Sequence, residues 1–223
     1  PPAGCREAEF PISARGRQTV VDDLSQTAYD RKADNLKDWR DELVLNDNPE
    51  YRNRLKFVWN PFGEGCVLND DSIKTNSFRP GLRISGTVKV SFDAAIDRET
   101  AILSTMLVDL GASRRITEEQ IPHEDGTYSF GVEEEPSPYK VISRGWLNAQ
   151  NRSCLWRKER IVPGEMYHYE IDMVPTDYVL KPGHELALIL YGIDAEATPR
   201  PDTVTRIEID TAHLQAVVPM GSC

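Results

Sequence analysis

The sequence predicts an all-β protein, a β-sandwich of jelly-roll or Greek-key type with one amphipathic helix near its N-terminal end. Three observations lead there. From about residue 78 onward, apolar and polar residues alternate at a period of two, as in strands with one buried face. Proline and glycine punctuate these runs at short intervals, as turns do in antiparallel sheets. Helical spacing of apolar residues occurs in one stretch, upstream of residue 46.

Taken in order, the first twenty residues hold Pro1, Pro2, Gly4, Pro11 and Gly16 and read as a linker or irregular extension. The sandwich domain then occupies 21–223. Within "DDLSQTAYDRKADNLKDWRDELVL", Leu36, Trp39 and Leu43 fall at i, i+3 and i+7, with Ala28 or Tyr29 and Lys32 completing the stripe. The spacing predicts a helix over about 25–45. Asp22, Asp23 or Ser25 is its candidate cap, and Asn46-Asp47-Asn48-Pro49 its stop. A short apolar piece, Leu55 to Trp59, precedes "NPFGEG".

In "LRISGTVKVSF", the even positions 82 to 92 are Leu, Ile, Gly, Val, Val and Phe, the pattern of a half-buried antiparallel strand. "AILSTMLVDL" at 101–110 is apolar on both faces and so more central. "YKVISRGW" at 139–146 is another strand. "EMYHYEIDM" places Tyr167, Tyr169, Ile171 and Met173 on one face and His168 on the other. "ELALILYG" at 185–192 is continuously apolar, the signature of the most buried strand, and "TVTRIEI" and "LQAVV" close the sheet. Between strands, Pro182-Gly183 sets a type II turn.

Bulk properties exclude several function classes. With 223 residues, 39% hydrophobic and 28% charged, the chain is large enough for a substantial core. A net charge of −10 opposes binding to nucleic acid or to an anionic membrane surface. No apolar run reaches the roughly 20 residues that span a bilayer, and a soluble, cytoplasmic protein is expected. Cys5, Cys66, Cys154 and Cys223 lack the spacing of a zinc site and read as reduced thiols. The ends, "PPAGC" and "PMGSC", suggest part of a longer polypeptide.

Catalytic motifs are missing. There is no Gly-x-Ser-x-Gly, Ser113 in "GASRR" lacking its second glycine, and no P-loop, GxGxxG or HExxH. His123, His168, His184 and His213 show no partner in sequence and read as surface or structural residues. Glu133, Glu134 and Glu135 lack the alternating spacing of a calcium loop. No catalytic residue, metal or cofactor is therefore expected. The polar cluster "SRGWLNAQNRS" at 143–153 admits two readings. Trp146 beside Asn148, Gln150 and Asn151 has the composition of a sugar-binding face. As a structural corner, Gly145 would permit close approach or a bulge, Trp146 and Leu147 would anchor the core, and Asn148 to Arg152 would bond the turn or a neighbouring domain.

These stretches carry a resemblance. "RGWLNAQNR", "PTDYVLKPGHEL" and "LYGIDAEATPRP", in that order and with the upstream "DDLSQTAYDRKADNLKDW" and "SGTVKVSFDAAIDRETAILSTMLVDLG", resemble the C-terminal domain of Xaa-Pro dipeptidyl-peptidases over residues 20–218. The resemblance implies a galactose-binding-like jelly roll packed on an α/β-hydrolase domain. That domain carries a Ser-Asp-His triad and removes X-Pro dipeptides from peptide amino termini. The same plan occurs in cocaine esterase and α-amino-acid ester hydrolases. No residue here falls on a triad position, so the fragment alone is expected to be inactive. The implied partners are the hydrolase domain of the parent protein, proline-containing peptides through it, and a second copy in a homodimer. Gly145, Trp146, Asn148, Asn151, Arg152 and Trp39 are the candidate docking or structural residues, and the helix over 25–45 with Trp39 and Trp59 is the candidate docking surface. An ester or acyl hydrolase parent and a carbohydrate-binding module are the alternatives.

Overall fold

A computed structural model of the chain describes residues 5–22, 36–48, 50–63, 81–199 and 203–222. In chain order the elements are β1 Arg6–Glu9, β2 Arg17–Asp22, α1 Leu36–Leu45, β3 Arg54–Trp59, β4 Leu82–Gly86, β5 Lys89–Ile96, β6 Ile102–Leu110, β7 Ile116–Pro122, β8 Tyr128–Val132, β9 Lys140–Asn148, β10 Met166–Asp172, β11 Thr176–Leu180, β12 Glu185–Tyr191 and β13 Thr205–Ser222. The larger sheet runs β10-β5-β13-β4-β11, with β1 and β2 also paired to β13. The smaller runs β3-β12-β6-β9, and β7 and β8 form a separate hairpin. The two sheets enclose one core, so the protein is the all-β sandwich the sequence predicts.

The alternation pattern explains which faces meet. Leu82, Ile84, Val88, Val90 and Phe92 are all buried between the sheets, as the even-position pattern requires. The run is two strands rather than one: β4 ends at Gly86, whose φ of 121° lies in the left-handed half of backbone space. The continuously apolar strands are those buried on both faces. Leu186, Leu188 and Leu190 of β12 enter the core between the sheets, while Ala187, Ile189 and Tyr191 face the other way. That outer face is covered by α1 through Trp39, Leu43 and Val44. Trp39 is only 1% exposed and lies 6.1 Å from the Tyr191 ring, so it serves internal packing and offers no external docking surface.

Residues 36–45 are helical; the expected first turns over 25–35 and the stop at Pro49 lie outside the described residues. Arg54 donates from Nε to the Leu43 carbonyl and from Nη2 to the Asn46 carbonyl, and Lys56 Nζ reaches the Val44 carbonyl at 3.0 Å. Cations from β3 thus satisfy the carbonyls and the negative dipole at the helix end. The candidate caps Asp23 and Ser25 lie outside the described residues as well, and the Asp22 carboxylate accepts from the Ile193 N–H. Asp22 closes β2.

The expected irregular segment 1–20 instead contains β1 and β2, paired with β13 in the registers Arg6↔Met220 and Thr205↔Asp22. Neither "REAE" nor "RQTVVD" shows a clear apolar alternation, and the pairing partner imposes the strand. "TVTRIEI" and "LQAVV" form the single strand β13, bent by a register shift between Asp210 and Gln215.

Gly145 of β9 marks a close approach of the two sheets. A Cβ there would stand 2.6 Å from Ile171 Cγ2 and 3.1 Å from the Met173 Cα. The edge is stitched across by Val174 N to the Arg144 carbonyl at 2.7 Å and Ser143 Oγ to the Val174 carbonyl at 2.5 Å. The bulge lies elsewhere on β9, between Val141 and Ser143. Gly145→Ala should therefore destabilise the chain by about 1–3 kcal/mol, since the backbone at Met173 has to move. Thermal unfolding measures this, and an unchanged Tm would disprove the close approach.

Candidate functional site

Asp194 follows the most apolar strand and is fully buried. A buried carboxylate is tolerable only with a full set of donors. It has them: Arg144 Nη1 at 3.3 and 3.2 Å from its two oxygens, Tyr191 Oη at 2.8 Å, Trp146 Nε1 at 3.1 Å and the Glu196 backbone N–H at 2.9 Å. Arg144 also donates to Glu196, and Arg40 of α1 pairs with Glu196 at 3.1 Å. Burial works against the Arg144 charge, but Asp194 and Glu196 outweigh it and raise its pKa. Burial, followed by the Asp194 charge, pushes the Tyr191 hydroxyl well above its ordinary value, so it stays a donor.

Trp146 therefore differs from the expected core anchor. It is 38% exposed and hydrogen-bonded to Asp194, whereas its neighbour Leu147 is buried. Alternation along β9 permits only one of the two to face the core.

A second buried carboxylate, Asp109, closes the opposite end of β6. Tyr178 Oη donates to it at 2.6 Å from β11 in the facing sheet, His184 Nδ1 lies 2.8 Å away, and Arg115 Nη2 at 3.3 Å. Arg115 also holds the carbonyls of Gly111 at 2.8 Å, Ser113 at 2.9 Å and Ser137 at 3.0 Å, fixing the base of the β7–β8 hairpin. The hairpin itself carries Tyr128, Phe130 and Val132 exposed along one face. The turn at Gly183 has φ of 84°, as a type II turn demands.

The corner after β9 is built by its amides. Asn148 Oδ1 accepts from the Gln150 N–H at 3.0 Å and caps a 3-10 turn, Ala149–Asn151. Asn151 Nδ2 donates to the carbonyls of Cys154 and Leu155, both at 3.2 Å. Arg152 pairs with Glu159 at 2.9 Å and lies over the Tyr167 ring at 4.3 Å. Gly145, Trp146, Asn148, Asn151 and Arg152 thus form one continuous corner, with Trp39 on the outer face of the smaller sheet.

Each histidine has a partner invisible in sequence. His123 shares a 2.9 Å bond with Ser129, His168 a 2.7 Å bond with Asp93, and His213 lies 3.2 Å from Asp210. His168 and His213 are exposed, and Asp93 raises the His168 pKa. Glu133 accepts from Ser137 Oγ at 2.8 Å and from Arg115 N at 3.1 Å. Among the described residues no serine, histidine and carboxylate share one hydrogen-bonded line.

The buried aspartates are what sequence reasoning missed. Their one sequence signal is position: Asp109 is the penultimate residue of the apolar β6, and Asp194 follows the apolar β12 by three residues.

A family model described as the X-Pro dipeptidyl-peptidase C-terminal non-catalytic domain matches residues 71–222. The chain is 34% identical over 148 residues to the Xaa-Pro dipeptidyl-peptidase of Lacticaseibacillus casei, covering 61% of this chain and 19% of that protein. It is 29% identical over 214 residues to that of Lactiplantibacillus plantarum, covering 90% of this chain and 24% of the relative. The chain thus spans about a fifth to a quarter of the length of these relatives. In fold it is similar to a CocE/NonD family hydrolase from Staphylococcus aureus, with a TM-score of 0.53, 9% identity, and coverage of 99% of this chain and 37% of that one.

Two measurements test the carboxylates. Asp194→Ala should cost about 3–5 kcal/mol, because the buried Arg144 keeps only Glu196 while the Tyr191 hydroxyl and the Trp146 indole lose their acceptor. Chemical denaturation checks it, and a loss under about 1 kcal/mol would refute the network. Asp22 is 1% exposed, with the Ile193 N–H at 3.2 Å from Oδ1, and burial raises its pKa to about 7. Its proton is held more tightly folded than unfolded, so its contribution is present below about pH 4 and lost as pH rises through 7. Asp22→Asn should match the wild type near pH 4 and exceed it by about 1–3 kcal/mol at pH 8. Parallel pH profiles for the two proteins would rule this out.

Proposed function

The chain belongs to the X-Pro dipeptidyl-peptidase C-terminal non-catalytic domain family, and from that premise we propose that it is the accessory domain of a serine exopeptidase releasing X-Pro dipeptides from peptide amino termini. Its role is to pack on an α/β-hydrolase domain of the same polypeptide and shape the approach to the active site there. The family match over residues 71–222 carries the reading. Two structural observations support it. The histidines are committed to structural partners, and the three stretches carrying the resemblance supply the partners of the buried Asp194 and Asp109 and the corner after β9, so they encode architecture. Among the described residues no helix is long and apolar enough to cross a membrane. The free thiols Cys5 and Cys154 suit a cytoplasmic setting.

The test is turnover of Ala-Pro p-nitroanilide by the chain alone and by the full-length polypeptide. The chain alone should show no hydrolysis above buffer, and the full-length protein should release the chromophore at a rate abolished by a serine-directed phosphonate. Turnover by the chain alone, or full-length activity confined to esters, would overturn the reading.

A further inference from the structure

The turn that the corner holds out carries more exposed apolar surface than any packing role explains. Trp156 is 93% exposed and Leu155 72% exposed, side by side at its tip. We propose that this Leu155–Trp156 turn is the anchor by which the chain docks on the hydrolase portion of its own polypeptide, entering an apolar cleft edged by carboxylates. The proposal rests on the reading above and names the surface that reading leaves open.

The turn is rigid before any partner arrives. Asn151 Nδ2 clamps the carbonyls of Cys154 and Leu155, the Arg157 N–H returns to the Cys154 carbonyl at 3.3 Å, and the Glu159 N–H bonds the Gln150 carbonyl at 2.7 Å. Arg152, stacked on Tyr167 and paired with Glu159, locks the base. A tryptophan held in place in the free state loses little freedom on binding, the condition under which such a residue becomes a dominant contact.

Charge selects the occupant. The chain carries −10 overall, yet the exposed Arg157 and Lys158 directly follow the tryptophan, with Arg160 close behind, and among the described residues only Arg157 of the first two has a nearby carboxylate, Glu159 at 3.7 Å. A two-fold contact between copies centred here would set these cations against their own equivalents, which is repulsive. A partner with carboxylates around an apolar slot is attracted instead. The relatives supply a covalently attached candidate, since the chain covers only 19% of the first and 24% of another. The turn joins β9 to β10, one from each sheet, and so lies at the end of β9 opposite the β7–β8 hairpin. Docking here leaves that hairpin free.

Oxidative footprinting read by mass spectrometry tests the proposal on wild-type protein. Trp156 should be oxidised readily in the isolated chain and about tenfold more slowly in the full-length polypeptide, as expected of an anchor excluded from water. Full-length Trp156→Ala and Arg157→Glu/Lys158→Glu should each split one cooperative thermal transition into two. Both variants of the isolated chain should keep the wild-type Tm, because these side chains touch no core. Equal oxidation in both contexts would overturn the docking, as would protection of the isolated chain that grows with its concentration, which would mark self-association. Absence of Ala-Pro turnover by wild-type full-length protein would instead defeat the functional reading, whatever the footprint.

Discussion

Asp194 is the contact on which the rest of the fold depends. A fully buried carboxylate without partners costs several kcal/mol, so the chain is committed to bringing Arg144, Trp146 and Tyr191 to it. That requirement fixes the register of β9 on β6, because Arg144 and Trp146 must share the face opposite Leu147. It fixes the exit of β12, because Asp194 lies three residues past Tyr191. It also reaches α1 through Glu196 and Arg40. Asp109 repeats the device at the other end of β6, this time joining the two sheets through Tyr178. Apolar packing alone tolerates sliding by a residue pair; two buried charges at opposite ends of one strand do not.

The layered architecture was legible because burial imprints a period. Alternation marked β4, β5 and β10, and uninterrupted apolar runs marked β6 and β12, whose second face is needed by α1. Turn chemistry at Gly183 was local and therefore readable. What escaped was set by residues far apart in sequence. Arg144 and Asp194 are separated by 50 positions, Tyr178 and Asp109 by 69, and no local pattern announces such a pair. β1 and β2 were hidden for the same reason, since β13 makes them strands. At Trp146 composition misled: a large ring suggested core, but the alternation shared with Leu147 left room for only one.

The candidate site divides along the same line. The motif "RGWLNAQNR" was readable as a corner, and its asparagines do build one. Its output, the exposed Leu155–Trp156 tip, follows from three-dimensional support by Arg152 and Tyr167 that sequence does not display. Architecture and docking are thus layered in one stretch of chain. The first half of the motif is tied inward to Asp194, and the second half is aimed outward.

The central position of β13 governs how the molecule comes into being. This strand pairs with β1, β2, β4 and β5, and the contact Arg6↔Met220 spans nearly the whole sequence. During synthesis, β5 and β4 wait with open edges until the last strand emerges to fill the gap between them. The larger sheet is therefore assembled late, after long loop closures that slow folding and leave strand edges exposed meanwhile. A chain truncated before residue 205 keeps the pairs β10-β5 and β4-β11 but lacks the strand that joins them, a species with unpaired edges that invites aggregation.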